Sequence, residues 1–246
     1  MGETSRLVSL YTRKFGKVKV VAKGARRPKS KFGAGLDPIT EIIALFYHRE
    51  NRDLHTLSDC DIIRPFSGIK SHVERLSYAS ALCELTDHLS PGEGPNLALY
   101  RAMDEALCGL ESVPEGEAEK FLWYFQIRAA DALGYRPELI RCVSCRKTVG
   151  AGQIKFSPVS GGIVCERCSA ANLTGLEVAL GTLRFLEKLR TTNFEKVHNL
   201  KVAPLLRSEA QLVLRTFLEY HTEDYRKLRS LKFLESITAN RRTGMV

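Results

Sequence analysis

Cys142 and Cys145 form one C-x-x-C pair, Cys165 and Cys168 form a second, and 19 residues separate the two. A two-residue spacer sets two sulfurs about one tight turn apart, so each pair can fill two corners of a tetrahedron. Together they predict a four-cysteine site for one Zn2+ ion. With all four corners taken by protein sulfur, no position is left for water or substrate, and such an ion is structural. Arg141, Arg146, Lys147 and Arg167 flank the ligands and would offset the charge of about −2 that four thiolates leave around a divalent ion. The competing reading is a set of redox-active or incidental thiols. The other three cysteines, Cys60, Cys83 and Cys108, sit in apolar patterns and are expected as buried thiols. Seven cysteines, four of them in C-x-x-C pairs, fit a reduced compartment better than a disulfide framework.

The second group is cationic. Between residues 13 and 31 stand Arg13, Lys14, Lys17, Lys19, Lys23, Arg26, Arg27, Lys29 and Lys31, nine positive residues with no acidic one among them. Like charges crowded into a short stretch repel one another, so the arrangement weakens folding slightly unless a polyanion neutralises it. Lys17 and Lys19 alternate with Val18 and Val20, which puts both lysines on one face of a strand. A strand face with an adjoining basic loop makes a groove for a nucleic-acid backbone, and these nine residues are the expected contacts. Four or five contacts to phosphates of one strand would give a salt slope near −3, and affinity would fall on the order of 80-fold between 50 and 200 mM salt. Tyr11, Phe15, Phe32, Phe46 and Tyr47 could stack on bases, but three or more of the five are expected in the core; Phe15 and Phe32 are the foremost stacking candidates. A solvated loop that only aids solubility is the plainer alternative.

The totals agree with an acidic partner. The 246 residues carry 37 Lys and Arg against 28 Asp and Glu, a net charge of +9, and 44% of them are hydrophobic, enough for a real core. No apolar run approaches the roughly 18 to 20 residues needed to span a bilayer. Met1 is followed by polar residues rather than a secretory segment, so a cytosolic protein is expected. The sequence holds no H-E-x-x-H, P-loop, G-x-S-x-G or dinucleotide fingerprint, which argues against an enzyme. His221, Glu223 and Asp224 suggest a hydrolase only weakly, since a solvated helix end explains them.

Residues 1–66 read as β structure, with strands at RLVSLYT, KVKVVA, ITEIIALFYH and LHTLSDCDII that predict a small barrel or curled sheet. Beyond Pro65 the period becomes helical: Ile69, Val73, Leu76, Ala79, Leu82 and Cys83 make one apolar stripe. PNLALYRAMDEALCGL follows, then EAEKFLWYFQIRAADALGY, apolar enough to be central. Three more helices are expected in TGLEVALGTLRFLEKLR, APLLRSEAQLVLRTFLEYHTED and YRKLRSLKFLES, before a frayed tail. Thr174 and Glu177 have capping-box spacing, and Pro204 suits a first helical turn. The expected organisation is an α+β chain with a nucleic-acid-binding β module at 1–66 and a helical module at 67–246. The latter carries a zinc segment at about 140–170. Arg184, Lys188 and Arg190, with Arg226, Lys227, Arg229 and Lys232, form a second basic set that could extend the surface or hold an acidic tail, or be ordinary solvated helix faces.

The stretch from Gly2 through ITEIIALFYH resembles the N-terminal module of the bacterial RecO family, and LGYRPELIRCVSC with FSPVSGGIVCERC resembles its zinc-bearing part. The resemblance implies an oligonucleotide-binding (OB) barrel, a helical bundle and a zinc module. It also implies a recombination mediator in DNA repair that binds single- and double-stranded DNA, anneals complementary strands and hydrolyses no nucleotide. Its implied partners are RecR and single-strand-binding protein, with the RecA filament served indirectly, and its implied place is the bacterial cytoplasm, at the nucleoid. The basic first module falls on Lys17, Lys19, Lys23, Arg26, Arg27, Lys29 and Lys31, and the metal ligands on the four cysteines. Family members usually carry some ten residues before the Gly2-Glu3 motif, enough for a first strand, so an unpaired barrel edge is expected here. A zinc-ribbon transcription or RNA-binding protein is the rival reading, and a scaffold for acidic protein tails is a third.

Overall fold

The computed structural model describes residues 4–48, 52–90, 94–150, 152–169, 175–223 and 225–242, with the side chains of 226, 235 and 237–242 outside that description; Thr174 and Asp224 also lie outside it. Four strands open the chain: β1 (Arg6–Thr12), β2 (Gly16–Ala22), β3 (Glu41–Tyr47) and β4 (Leu54–Arg64). Alternation governs β2 as expected, with Val18, Val20 and Ala22 buried, Lys19 exposed and Lys17 half-buried. The strands pair in the order β1-β2-β4-β3, with β2 and β4 parallel and the outer pairs antiparallel.

The expected OB barrel is not formed. Among the described residues β1 and β3 are two free edges that do not pair, so the sheet stays open. Alternation dictates which face of a strand is buried but not what its edge meets, and closure is a property of edges. Two register shifts between β3 and β4, at Glu41/Ile42 and Leu45/Phe46, curl the sheet. The loop after β2 then folds back over its inner face. Phe32 and Leu36 insert from that loop and bury with Val18, Val20, Ala22 and Leu57. The loop can lie this close because Gly35 has no side chain: a Cβ there would stand 2.7 Å from Cys60 Sγ.

The helical part comprises α1 (Ser67–Lys70), α2 (Val73–Leu89), α3 (Leu97–Ser112), α4 (Glu119–Ala132), α5 (Glu166–Ser169), α6 (Leu180–Thr191), α7 (Pro204–His221) and α8 (Arg229–Arg242). α4 is central, since residues from Glu119 through Ile127 are buried around its whole circumference. Pro204 begins α7 as expected, and Asn96 caps α3 by accepting from the Leu99 amide at 2.9 Å.

Three local expectations change. The predicted stripe from Ile69 to Cys83 is split at Ser71 and His72, so α2 buries Tyr78, Ala79, Leu82, Leu85 and Leu89 while Val73 and Leu76 face solvent. Glu177 lies in a two-residue strand, β7 (Leu176–Glu177), and not at a helix start. α8 continues into the tail expected to fray, as far as Arg242.

A second sheet holds the cysteine segment. β5 (Ile154–Ser157) pairs antiparallel with β6 (Gly162–Cys165) on one side and with β7 on the other. Phe156 of β5 packs on Phe217 of α7, ring centroids 5.9 Å apart. Cys142, Ile154, Phe156, Ile163, Val164 and Val178 join the same buried cluster as the helices.

Candidate metal centre and nucleic-acid surface

The four cysteine sulfurs converge. Sγ atoms of Cys142, Cys145, Cys165 and Cys168 all lie within 4.8 Å of one another, and those of Cys145 and Cys165 are 3.8 Å apart. Zn–S bonds of about 2.3 Å in a tetrahedron require sulfur edges of about 3.8 Å, so the cluster has the size of a Zn2+ site. The first pair sits on a tight knuckle in which the Arg146 amide donates to the Cys142 carbonyl at 2.8 Å and the Cys142 amide to that of Lys147 at 2.9 Å. Arg146 takes a left-handed backbone there, φ 62°, a conformation disfavoured for residues with a Cβ.

Charge is prepared on the ligands themselves. Burial raises the Cys142 thiol, but backbone amides of Cys145, Cys165 and Ser144 outweigh it and hold the thiol down at about 6. Cys168 is pushed up to about 12, first by its hydrogen bond with Cys165. Four adjacent thiols cannot all ionise without a cation between them, and these opposite shifts express that conflict. Cys60, Cys83 and Cys108 lie away from the cluster and are half-buried rather than fully enclosed. Burial lifts Cys83 to about 11, which keeps it an unreactive thiol.

Eight of the nine expected phosphate contacts, Arg13, Lys14, Lys19, Lys23, Arg26, Arg27, Lys29 and Lys31, are exposed. Among the described residues none of the eight has a carboxylate within 4.0 Å. β2 spaces them: Arg13 and Lys14 occupy the turn before it, Lys19 its outer face, and Lys23 to Lys31 the loop after it. That loop is pinned at its root, where the Arg26 amide donates to the Thr4 carbonyl at 3.1 Å and the Arg27 amide to Gly24 at 3.1 Å.

Lys17 stands apart. Its ammonium lies 2.8 Å from Asp87 Oδ1 and donates to the Asp87 carbonyl at 2.8 Å, tying β2 to the end of α2. Ser9 donates to the same carboxylate at 3.1 Å. A second tie runs from Arg64, at the end of β4, to Glu41, Asp104 and the Cys108 sulfur, with its guanidinium 5.2 Å from the Phe66 ring. A third pairs Tyr11 with Tyr100, centroids 6.3 Å apart. These contacts set the sheet on the helices.

The two stretches that carry the resemblance agree with comparison to known proteins. The family model described as "Recombination protein O N terminal" matches residues 1–66, and the one described as "Recombination protein O C terminal" matches residues 71–232. The chain belongs to the RecO family. It is 34% identical over 234 residues to the DNA repair protein RecO of Pelotomaculum thermopropionicum, covering 95% of this chain and 88% of that protein. The corresponding protein of Symbiobacterium thermophilum is 31% identical over 245 residues, covering 97% and 93%. That of Moorella thermoacetica is 30% identical over 237 residues, covering 96% and 86%. RecO-family proteins are non-catalytic mediators of DNA repair and recombination.

Within this RecO-family chain the aromatic candidates divide. Phe32, singled out for stacking, is 4% exposed and belongs to the sheet core, whereas Phe15 is 49% exposed. Tyr47 is exposed, while Tyr11 and Phe46 are half-buried. His221 packs its ring on Phe217 and Tyr135 at 4.4 and 5.1 Å, in a structural role. In the second basic set Arg190 is buried against Asp131 and Glu187, while Arg184, Lys188, Lys227, Arg229 and Lys232 are not buried. Sequence reasoning missed Asp87 and Arg64. Their partners lie 70 and up to 44 residues away, and no local pattern marks such ties. Among the described residues no helix is long and apolar enough to cross a membrane.

Proposed function

We propose that the chain is a DNA-binding recombination mediator whose first 66 residues bind the backbones of single- and double-stranded DNA and whose remaining residues, 67–246, serve as a helical platform. Supporting this reading above all is the row of eight exposed cations with no carboxylate within pairing distance among the described residues. Mobile counterions released from the DNA supply the driving force, and contacts of this kind position a strand without reading its sequence. Neutralising two strands at once lowers their mutual repulsion and leaves bases free to pair, which is strand annealing. By family likeness the chain works with RecR and helps RecA replace single-strand-binding protein on DNA, in the bacterial cytoplasm at the nucleoid. Lys17 is read as a residue that seats the sheet.

The four cysteines hold one structural Zn2+ ion in this reading. Their spacing of 3.8 Å between Cys145 and Cys165 and the amide donors aimed at Cys142 fit such an ion. The ion closes the knuckles that carry β5 and β6 onto α7. It takes no part in chemistry.

The test is annealing of complementary oligonucleotides coated with single-strand-binding protein. Duplex formation accelerated by this chain is the expected result. Bare and coated strands both annealing at the spontaneous rate would reject the proposal.

A further inference from the structure

Phe15 is half exposed on a turn that cannot fold it inward. Its amide donates to Thr12 Oγ1 at 3.0 Å, and that hydroxyl donates to the Gly16 carbonyl at 3.0 Å, closing the turn from both sides. Gly16 has φ +67°, and a Cβ on it would stand 2.2 Å from the Gly94 carbonyl oxygen, so the turn is wedged against the segment before α3. Two rings stand against Phe15. Phe46 meets it edge-on at 5.6 Å and 75°, and His48 lies nearly parallel at 6.2 Å and 21°. His48 in turn stacks on His55 at 4.7 Å. Between these contacts 49% of Phe15 stays exposed to water, and the two residues preceding it, Arg13 and Lys14, are exposed cations.

An apolar ring held rigid beside two cations that meet no carboxylate among the described residues matches one ligand chemistry in particular: a flat, uncharged group attached to a phosphate chain. We propose that Phe15 is a stacking platform for an unpaired nucleobase, with Arg13 and Lys14 taking the adjacent phosphates. The inference rests on the DNA-binding reading above and adds a distinction to it. Phosphates are common to both forms of DNA, whereas a base already paired and stacked in a duplex has no free face to offer. Phe15 thus favours single strands over duplex, and the cations on the β2–β3 loop do not. Because every base has a π-face, the preference is indifferent to sequence.

The test measures affinity by fluorescence anisotropy for oligo-dT of about 15 nucleotides, for an abasic strand of equal length, and for a duplex. Loss of one stacked base weakens binding by about 5- to 150-fold. Phe15→Ala should show that loss on oligo-dT, leave the abasic strand and the duplex within about twofold, and keep the salt slope. Phe15→Leu retains apolar contact with Phe46 and should show the same selective loss, so a folding defect in Phe15→Ala does not decide the matter. Phe15→Trp, which keeps a ring to stack on, should retain the oligo-dT affinity of the unmodified chain. Unchanged oligo-dT binding in Phe15→Leu, or an equal loss on all three ligands, overturns the inference and leaves the DNA-binding proposal standing. Failure of the unmodified chain to bind any of the three overturns both.

Discussion

Arg146 shows how a single backbone angle can be read as chemistry. It follows the second cysteine of the first knuckle in a left-handed conformation, φ 62°, which costs a residue with a Cβ about 1 kcal/mol or more and a glycine almost nothing. Arg146→Gly should therefore tighten zinc binding about fivefold in competition with a chelator. The loss of one positive charge near the thiolates works against this gain in Arg146→Gly and equally in Arg146→Asn, the latter also tolerant of this region, and each should still tighten binding. Weaker zinc binding in both would mean that charge outweighs backbone strain. His221 gives a second residue-scale prediction. Burial lowers its pKa, only partly opposed by a bond to the Pro158 backbone, and its Nε2 has no hydrogen-bond partner among the described residues. The unfolded chain takes up a proton near pH 6.5 that the folded chain resists, so stability is full above that pH and falls as the solution is acidified. His55, lowered first by burial and then by His48, acts in the same direction. Urea midpoints should drop between pH 7.5 and 5, and His221→Phe, which keeps a ring against Phe217, should shrink the drop. An identical drop in the variant would assign it elsewhere.

At the scale of elements, the loop after β2 has two jobs that its sequence displays unequally. Its cations are obvious as a run. Its core residues, Phe32 and Leu36, are concealed among glycines and lysines, and only the folded sheet shows that they fill its inner face. Phe32→Ala should cost about 3 to 5 kcal/mol in chemical denaturation, far more than Phe15→Ala, whose ring is half exposed. Comparable losses from the two would contradict the division of roles between them. All four strands are legible because apolar residues such as Val18, Val20 and Ala22 recur at every second position and because Gly- and Pro-rich stretches punctuate the chain. Closure is not legible in the strands themselves, since nothing in β1 or β3 states what lies along its free edge; the resemblance alone points to an unpaired edge. α2 fails in a similar way. Val73 and Leu76 keep helical spacing with Leu82, yet the break at His72 sends them to solvent. Spacing within a segment is local, and the face it turns inward is decided by the helices packed against it.

For the molecule as a whole, two ion-pair ties and an aromatic pair help set how a small cationic sheet sits on a large helical body. Lys17 with Asp87, Arg64 with Asp104, and Tyr11 with Tyr100 each join the β part to α2 or α3. The metal centre is readable as spacing because cysteine pairs carry their geometry with them, two residues apart. The phosphate contacts are readable as density, but density cannot tell that Lys17 is engaged by Asp87. The remaining eight cations carry the central claim, and their most direct test is the charge reversal Arg26→Glu with Arg27→Glu, with DNA affinity measured across 50 to 200 mM salt. Those two side chains are exposed and ion-paired to nothing among the described residues, so the fold should survive. The account predicts a loss of at least about tenfold in affinity for both single strands and duplex, with the salt slope shallower by about 1 to 2. Undiminished affinity and an unchanged slope in a folded variant would contradict it.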